Sequence, residues 1–188
     1  MNIVETKIPG LLIMEPRIFG DERGWFTETW QRQRLAEAGL ELDFVQDNLA
    51  YSRRAVLRGL HVQNPHSQGK LVQVLRGEVY DVAVDIRRGS PHFGQWVGVH
   101  LSGENHRQFW VPEGFAHGYC VLSDEALFAY KCTDFYHPET QFSVLWNDPD
   151  LGIDWHCPGE PQLADKDRQA PRLSQIPAER LPRFEARV

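Results

Sequence analysis

A chain of 188 residues with 41% hydrophobic and 24% charged side chains has the composition of a globular domain, which excludes a fibre, a disordered polymer and a membrane-embedded chain. A net charge of -6 argues against the broad basic surface that a nucleic-acid polymer requires, while leaving room for a small anion. The opening MNIVETKIPGLLIMEPRIF has no basic segment followed by a long apolar run, and Cys120, Cys132 and Cys157 fit neither a CxxC pair nor a disulfide framework, so a cytoplasmic location with no membrane partner is expected.

Only Gln31 to Ala38 reads as helix, with Gly39 as its C-terminal cap. Without repeated crossover helices, an α/β architecture is excluded. The segment Leu57 to Lys70, LRGLHVQNPHSQGK, packs Arg58, His61, Gln63, His66 and Lys70 into what would otherwise be a strand. Short apolar runs broken by turn residues then predict strands over Lys70–Leu75, Glu78–Arg87, Trp96–Leu101, Gln108–Val111, Tyr119–Leu122, Leu127–Cys132 and Ser143–Trp146. Alternation is clearest in the second of these. Tyr80, Val82, Val84 and Ile86 share one face, read as the core face, and Val79, Asp81, Ala83 and Asp85 share the other.

From Pro158 onward prolines recur among few apolar residues, so 158–188 is expected to wrap a single domain spanning 1–188. An immunoglobulin-like sandwich has similar strands but no deep pocket. A jelly-roll barrel has a ligand-sized mouth lined by alternate residues, where His61, Lys70, Asp81 and Asp85 are expected to face inward. The expected fold class is therefore all-β, a jelly-roll barrel with few short helices.

The second polar cluster, VPEGFAHG, places His117 in a Pro-x-Gly-x-x-His turn. Two histidine clusters invite a metal, but Gln63 stands where an acidic ligand is needed and Lys70 adds a repelling charge, so no metal is expected in the barrel. Proton transfer is the alternative employment for such histidines. Arg23, Arg53, Arg54, Arg58 and Lys70 offer charge for one or two phosphates if the fold gathers them. His66, His92, His100, His106, His137 and His156 read as surface or structural residues.

The strings FGDERGWF, FVQDN, LRGLH, GEVYDVAVDIRRGSPHFGQW, VPEGFAHG and WNDPDLGIDW closely resemble the dTDP-4-dehydrorhamnose 3,5-epimerase family, over about Ile3 to Asp167. The resemblance implies a cupin-like jelly roll and a homodimer with exchanged N-terminal strands. It also implies catalysis without a cofactor, acting on a dTDP-4-keto-6-deoxyhexose in dTDP-L-rhamnose biosynthesis. By position, His61 matches the family's base, Asp167 the carboxylate that orients it, Tyr130 the acid and Lys70 the group that stabilises the enolate. Arg23, Glu28, Gln46, Asp47, Asn48, Arg58, His117, Gln141 and Lys166 match substrate-binding positions. Val62, Ala164 and Gln141 depart from the family's common residues, where an aromatic, a serine and a glutamate are frequent. Rival readings are a mono-epimerase or 3,4-ketoisomerase on a related sugar, a metal-dependent jelly-roll enzyme, and a non-catalytic carbohydrate binder.

Overall fold

The computed structural model describes residues 1–185. In chain order its elements are β1 (Asn2–Glu5), β2 (Leu12–Glu15), β3 (Ile18–Asp21), β4 (Gly24–Thr27), α1 (Arg32–Glu37), β5 (Gln46–Arg53), β6 (Leu57–Gln63), β7 (Lys70–Arg76), β8 (Glu78–Asp85), β9 (Trp96–Ser102), β10 (Gln108–Val111), β11 (Phe115–Val121), β12 (Glu125–Cys132), β13 (Gln141–Ser143) and α2 (Asp165–Arg168). Two antiparallel sheets face each other, one ordered β1-β2-β10-β7-β12-β5 and the other β13-β6-β11-β8-β9, with β3 and β4 forming a separate hairpin. This alternation of consecutive strands between facing sheets is the jelly roll.

Between the sheets lies a core of Val72, Val74, Phe109, Val111 and Phe128 from one side and Val79, Ala83, Val97, Val99, Phe115 and Tyr119 from the other. Each fully buried aromatic such as Phe109 or Phe128 contributes about 1.5–3 kcal/mol. The single core face expected on β8 becomes two buried faces. Val79 and Ala83 point into the barrel, while Tyr80, Val82, Val84 and Ile86 pack outward beneath Leu151, Trp155, Leu173, Ile176 and Leu181. The outer face of the other sheet is covered where Met14, Leu71 and Trp110 meet Leu35 of α1 and the half-buried Trp30, Leu40 and Phe44. Gln31 caps α1 by accepting from Arg34 N at 2.6 Å, so the helix begins one residue inside its expected limit.

Candidate active site

Strand register brings the functional side chains together. His61 on β6 is directly opposite His117 on β11 and Ser143 on β13. On the facing sheet, Tyr130 of β12 is opposite Asn48 of β5, and Cys132 is opposite Lys70 of β7. The β6–β11 pair is pinched beside the two histidines: Gly59 has φ of +130°, and a Cβ there would stand 2.6 Å from Gly118 Cα. Only glycine tolerates both the left-handed backbone and the approach.

His61 Nε2 lies 2.7 Å from Asp167 Oδ1, and Asp167 is 2% exposed although it rides on α2, in the segment packed over the outer face. Its carboxylate also accepts from Gly59 N at 3.3 Å and from Ser143 Oγ at 3.2 Å. Burial lowers the His61 pKa; Asp167 opposes that shift, and the charges of Lys166 and Lys70 add to it. Burial acts to raise the Asp167 carboxyl, but the hydrogen bond and charge of His61, with Gly59 N–H and Lys166, hold it below its usual value. At neutral pH the pair is therefore imidazole and carboxylate. Nε2–H donates to Asp167 and the lone pair on Nδ1 is the basic position.

Tyr130 has its hydroxyl pushed up to about 12 by burial first and by neighbouring Cys132 and Tyr119 next, so it stays protonated as a donor. Its ring leans on Phe128 at 5.9 Å. Burial lowers the Lys70 pKa, with Cys132 and Asp81 pulling the other way. A cation held in so dry a place acts on nearby charge more strongly than one in water. Asp81, fully buried, holds His117 Nε2 at 2.8 and 3.0 Å, which fixes the histidine ring against the barrel wall.

A polar rim continues from this centre. Asn48 Nδ2 donates to Cys132 Sγ at 3.6 Å, Gln46 Nε2 donates to Asn48 Oδ1 at 3.1 Å, and Tyr136 N donates to Gln46 Oε1 at 3.0 Å. Tyr136 Oη and Lys166 Nζ both donate to Gln141 Oε1, at 3.0 and 3.4 Å. Arg58 Nε donates to Ser52 Oγ at 3.0 Å, beside the Tyr119 hydroxyl at 3.5 Å. Asp81 faces inward as expected and serves His117, whereas Ser52, Tyr119, Ser143 and Tyr136 were not among the candidate residues. Ser143 in particular has no local signal, because only the β13–β6 register brings it to Asp167.

Three candidates lie apart from this group. Asp47 points to the outer face of β5 and pairs with Lys131 at 3.0 Å. Arg23 and Glu28 pair locally, with Asp21 at 2.5 Å and Arg34 at 2.9 Å, on and just beyond the β3–β4 hairpin. The supposed cation cluster thins likewise, since Arg54 pairs with Asp124 at 3.5 Å. Asp85, expected to line the pocket, instead anchors the exit of β8: Arg87 N and Nε donate to its Oδ1, both at 3.0 Å, and Arg87 Nη2 and Ser90 Oγ donate to its Oδ2, both at 2.6 Å. Gln63 turns its amide into the neighbouring loops, accepting from His137 N at 2.8 Å and donating to Phe135 O at 2.9 Å, so it does not converge with His61 on a metal position. A cavity of about 850 Å³ between Leu12, Leu40, Trp110, Glu113, Thr133 and Arg183 contains none of the proton-transfer groups.

The profile of the dTDP-4-dehydrorhamnose 3,5-epimerase family matches residues 5–175. The chain belongs to this family. Among epimerases with that name, the one from Shigella flexneri is 55% identical over 169 residues, which is 89% of this chain and 93% of the relative. The crystal structure of the dTDP-6-deoxy-D-glucose-3,5-epimerase of Legionella pneumophila, in complex with dTDP-4-keto-L-rhamnose, superimposes with a TM-score of 0.96 at 60% identity, covering 98% of this chain and 99% of that one. A 3'-monoepimerase of Streptomyces bikiniensis in complex with dTDP-quinovose shares the fold at a TM-score of 0.88 and 37% identity, covering 95% and 91%.

Within the epimerase family's pattern, the departures sit differently. Val62 is 3% exposed and packs into the outer apolar cluster, away from the histidines. Ala164 is the N-cap of α2 and supplies no side-chain cap, so the short helix that carries Asp167 lacks a hydrogen bond that serine provides. Gln141 keeps an acceptor at the rim without a charge.

Proposed function

We propose that this epimerase-family chain inverts C3 and C5 of dTDP-4-dehydro-6-deoxy-D-glucose, giving dTDP-4-dehydro-L-rhamnose for dTDP-L-rhamnose biosynthesis. The observation that carries the reading is the pairing of a buried His61–Asp167 dyad on one sheet with a protonated Tyr130 and a desolvated Lys70 on the facing sheet. The C4 ketone acidifies the hydrogens at C3 and C5, because either carbanion delocalises onto the same oxygen. His61 Nδ1 takes the proton from one face, and Asp167 stabilises the imidazolium that results. The Lys70 ammonium stands by the enolate oxygen. Tyr130 returns a proton to the opposite face, inverting the centre; the tyrosinate then takes a proton from solvent and the His61 imidazolium releases its proton to solvent, which resets both groups for the second carbon. The C4 ketone supplies the acidity and the chain's own groups move the protons, so this route uses no cofactor.

Arg58, Lys166, His117, Gln46, Asn48 and Gln141 serve the nucleotide sugar. Arg23 and Glu28 serve it from a second copy. Support for that arrangement comes from the β3–β4 hairpin, which exposes Phe19, Trp25 and Phe26 at 50, 60 and 68%, an apolar patch of the kind that an interface covers. The same patch supports a homodimer in which N-terminal strands are exchanged. We place the protein in the cytoplasm, consistent with three free cysteines and with the fact that, among the described residues, no helix is long and apolar enough to cross a membrane.

Proton NMR of dTDP-4-keto-6-deoxy-D-glucose incubated with the protein in D₂O, followed by reduction, tests the reading. Deuterium at both C3 and C5 with rhamnose configuration is the expected result. Exchange at one carbon alone would place the chain with the monoepimerase, a second reading that rests on the 37% identity to the Streptomyces bikiniensis enzyme. Absence of exchange would overturn both.

A further inference from the structure

His66 follows β6 and His137 follows β12, far apart in sequence and outside the proton-transfer group, yet their rings stack with centroids 4.2 Å apart and planes 19° from parallel. Asp134 joins them: its Oδ2 lies 3.6 Å from His66 Nδ1, and one ligating atom from each of the three residues falls within 4.8 Å of the others. Among the described residues this is the one group of three side chains with metal-ligand chemistry so gathered. Two imidazoles and a carboxylate form the donor set that borderline divalent ions take, and three protein ligands leave a coordination position for water.

The backbone behind the three residues is already braced. Gln63, 6% exposed, donates to the carbonyls of His66 and Phe135 and accepts from His137 N, so one buried amide ties both loops together. Glu139 Oε1 lies 3.2 Å from His137 Nδ1, adding a carboxylate beside the ring, the arrangement that orients imidazoles at metal centres. Tetrahedral zinc with bonds of about 2.0–2.1 Å sets its ligand atoms about 3.3 Å apart. Rotation of the exposed His66 and the half-buried Asp134 and His137 side chains on fixed loops closes the remaining gap.

We propose that His66, Asp134 and His137 form a divalent-cation site, suited to Zn²⁺, at the loop edge of the barrel. The site is separate from the proton-transfer centre but joined to its rim. Tyr136, between Asp134 and His137, donates from its N–H to Gln46 and from its hydroxyl to Gln141. A bound ion therefore clamps the loop that supplies Tyr136 to the loop that follows His61.

The test is calorimetric titration of the tag-free, full-length protein with ZnCl₂ after chelator dialysis, alongside thermal unfolding. One equivalent bound in the micromolar range is expected, with an unfolding midpoint that climbs with zinc concentration by mass action. His66 has φ of +68°, which asparagine tolerates, so His66→Asn preserves the loop while deleting a ligand. His66→Asn and His137→Gln should each weaken binding by more than about 100-fold, beyond the 10- to 100-fold that changes behind the ligands produce. Each variant should match the wild-type midpoint without zinc. The other exposed histidine pair, His100 and His156, has nitrogens 3.3 Å apart, and His100→Gln should leave binding unchanged. Binding that survives in His66→Asn and His137→Gln, binding lost in His100→Gln, or no saturable binding at all would overturn the assignment.

Discussion

Asp167→Asn isolates what the buried carboxylate does for the base. The substitution keeps the volume of a side chain that is 2% exposed and removes its charge. When His61 accepts a proton, imidazolium and carboxylate form an ion pair with charge centres about 4 Å apart, worth about 4 kcal/mol at an effective dielectric near 20. Losing that term only in the transition state slows turnover about 1000-fold. The amide also disturbs the tautomer. Gly59 N–H donates to Oδ2, so the asparagine oxygen settles there and its NH₂ group faces His61 Nε2, leaving the proton on Nδ1, where the base must be free. Deuterium incorporation at C3 and C5 in D₂O, read by NMR against pH, gives the rate. Burial already places the His61 pKa below its ordinary value of 6.5, and Asp167 is what opposes the shift. The variant's acid limb therefore moves still lower, and raising the pH does not recover the lost rate. A loss of less than about tenfold, or recovery at high pH, would refute this account of the dyad.

Other substitutions separate the remaining roles. Tyr130→Phe keeps the contact with Phe128 and deletes the donor; deuterium exchange at the carbons should continue while inverted product falls by at least about 100-fold, and unchanged product formation would remove Tyr130 from the mechanism. Lys70 has a lowered pKa because burial penalises its charge, so the unfolded chain holds that proton more tightly and the charged lysine lowers stability at neutral pH. Lys70→Met should therefore raise the unfolding midpoint by about 2–4 °C for each kcal/mol relieved while abolishing turnover, whereas a lower midpoint in calorimetry would show that Asp81 and the lysine stabilise each other. Ala164→Ser supplies the missing cap on α2 and should add about 1 kcal/mol of stability, visible as slower amide exchange at Asp167 and Arg168; unchanged exchange there would mean that outer-face packing alone holds the helix.

Where apolar alternation served a buried face, the strands were legible, as in β8, β9, β10 and β12. β5 escaped because its pattern is inverted: Asn48 and Ser52 point inward to a polar cavity, while Leu49 and Tyr51 are 63 and 55% exposed. β6 and β11 were obscured or shortened by the polar and glycine residues that make them the site, and His117 and Gly118 belong to a strand beginning at Phe115. His61 and Lys70 stood out as polar residues interrupting a strand, but their roles, and Tyr130 and Asp167 altogether, came through resemblance to a family, since no spacing rule links β6 to α2. Asp47 follows the period of two: its neighbour Asn48 faces in, so Asp47 faces out toward Lys131 and lies apart from the other substrate positions. Asp85 misled because an inward carboxylate at a strand end is free to serve the turn that follows.

The segment that carries Asp167 adheres to the barrel through Trp155, Leu173, Ile176 and Leu181 on the outer face of the second sheet. During synthesis both sheets can close before that segment has left the ribosome, so the barrel forms with an imidazole that has no counter-charge. Catalytic competence then arrives as a separate, later docking event. In the finished protein, transient peeling of the same segment would silence chemistry while the sheets stay intact, so loss of activity on mild heating should precede loss of β-structure.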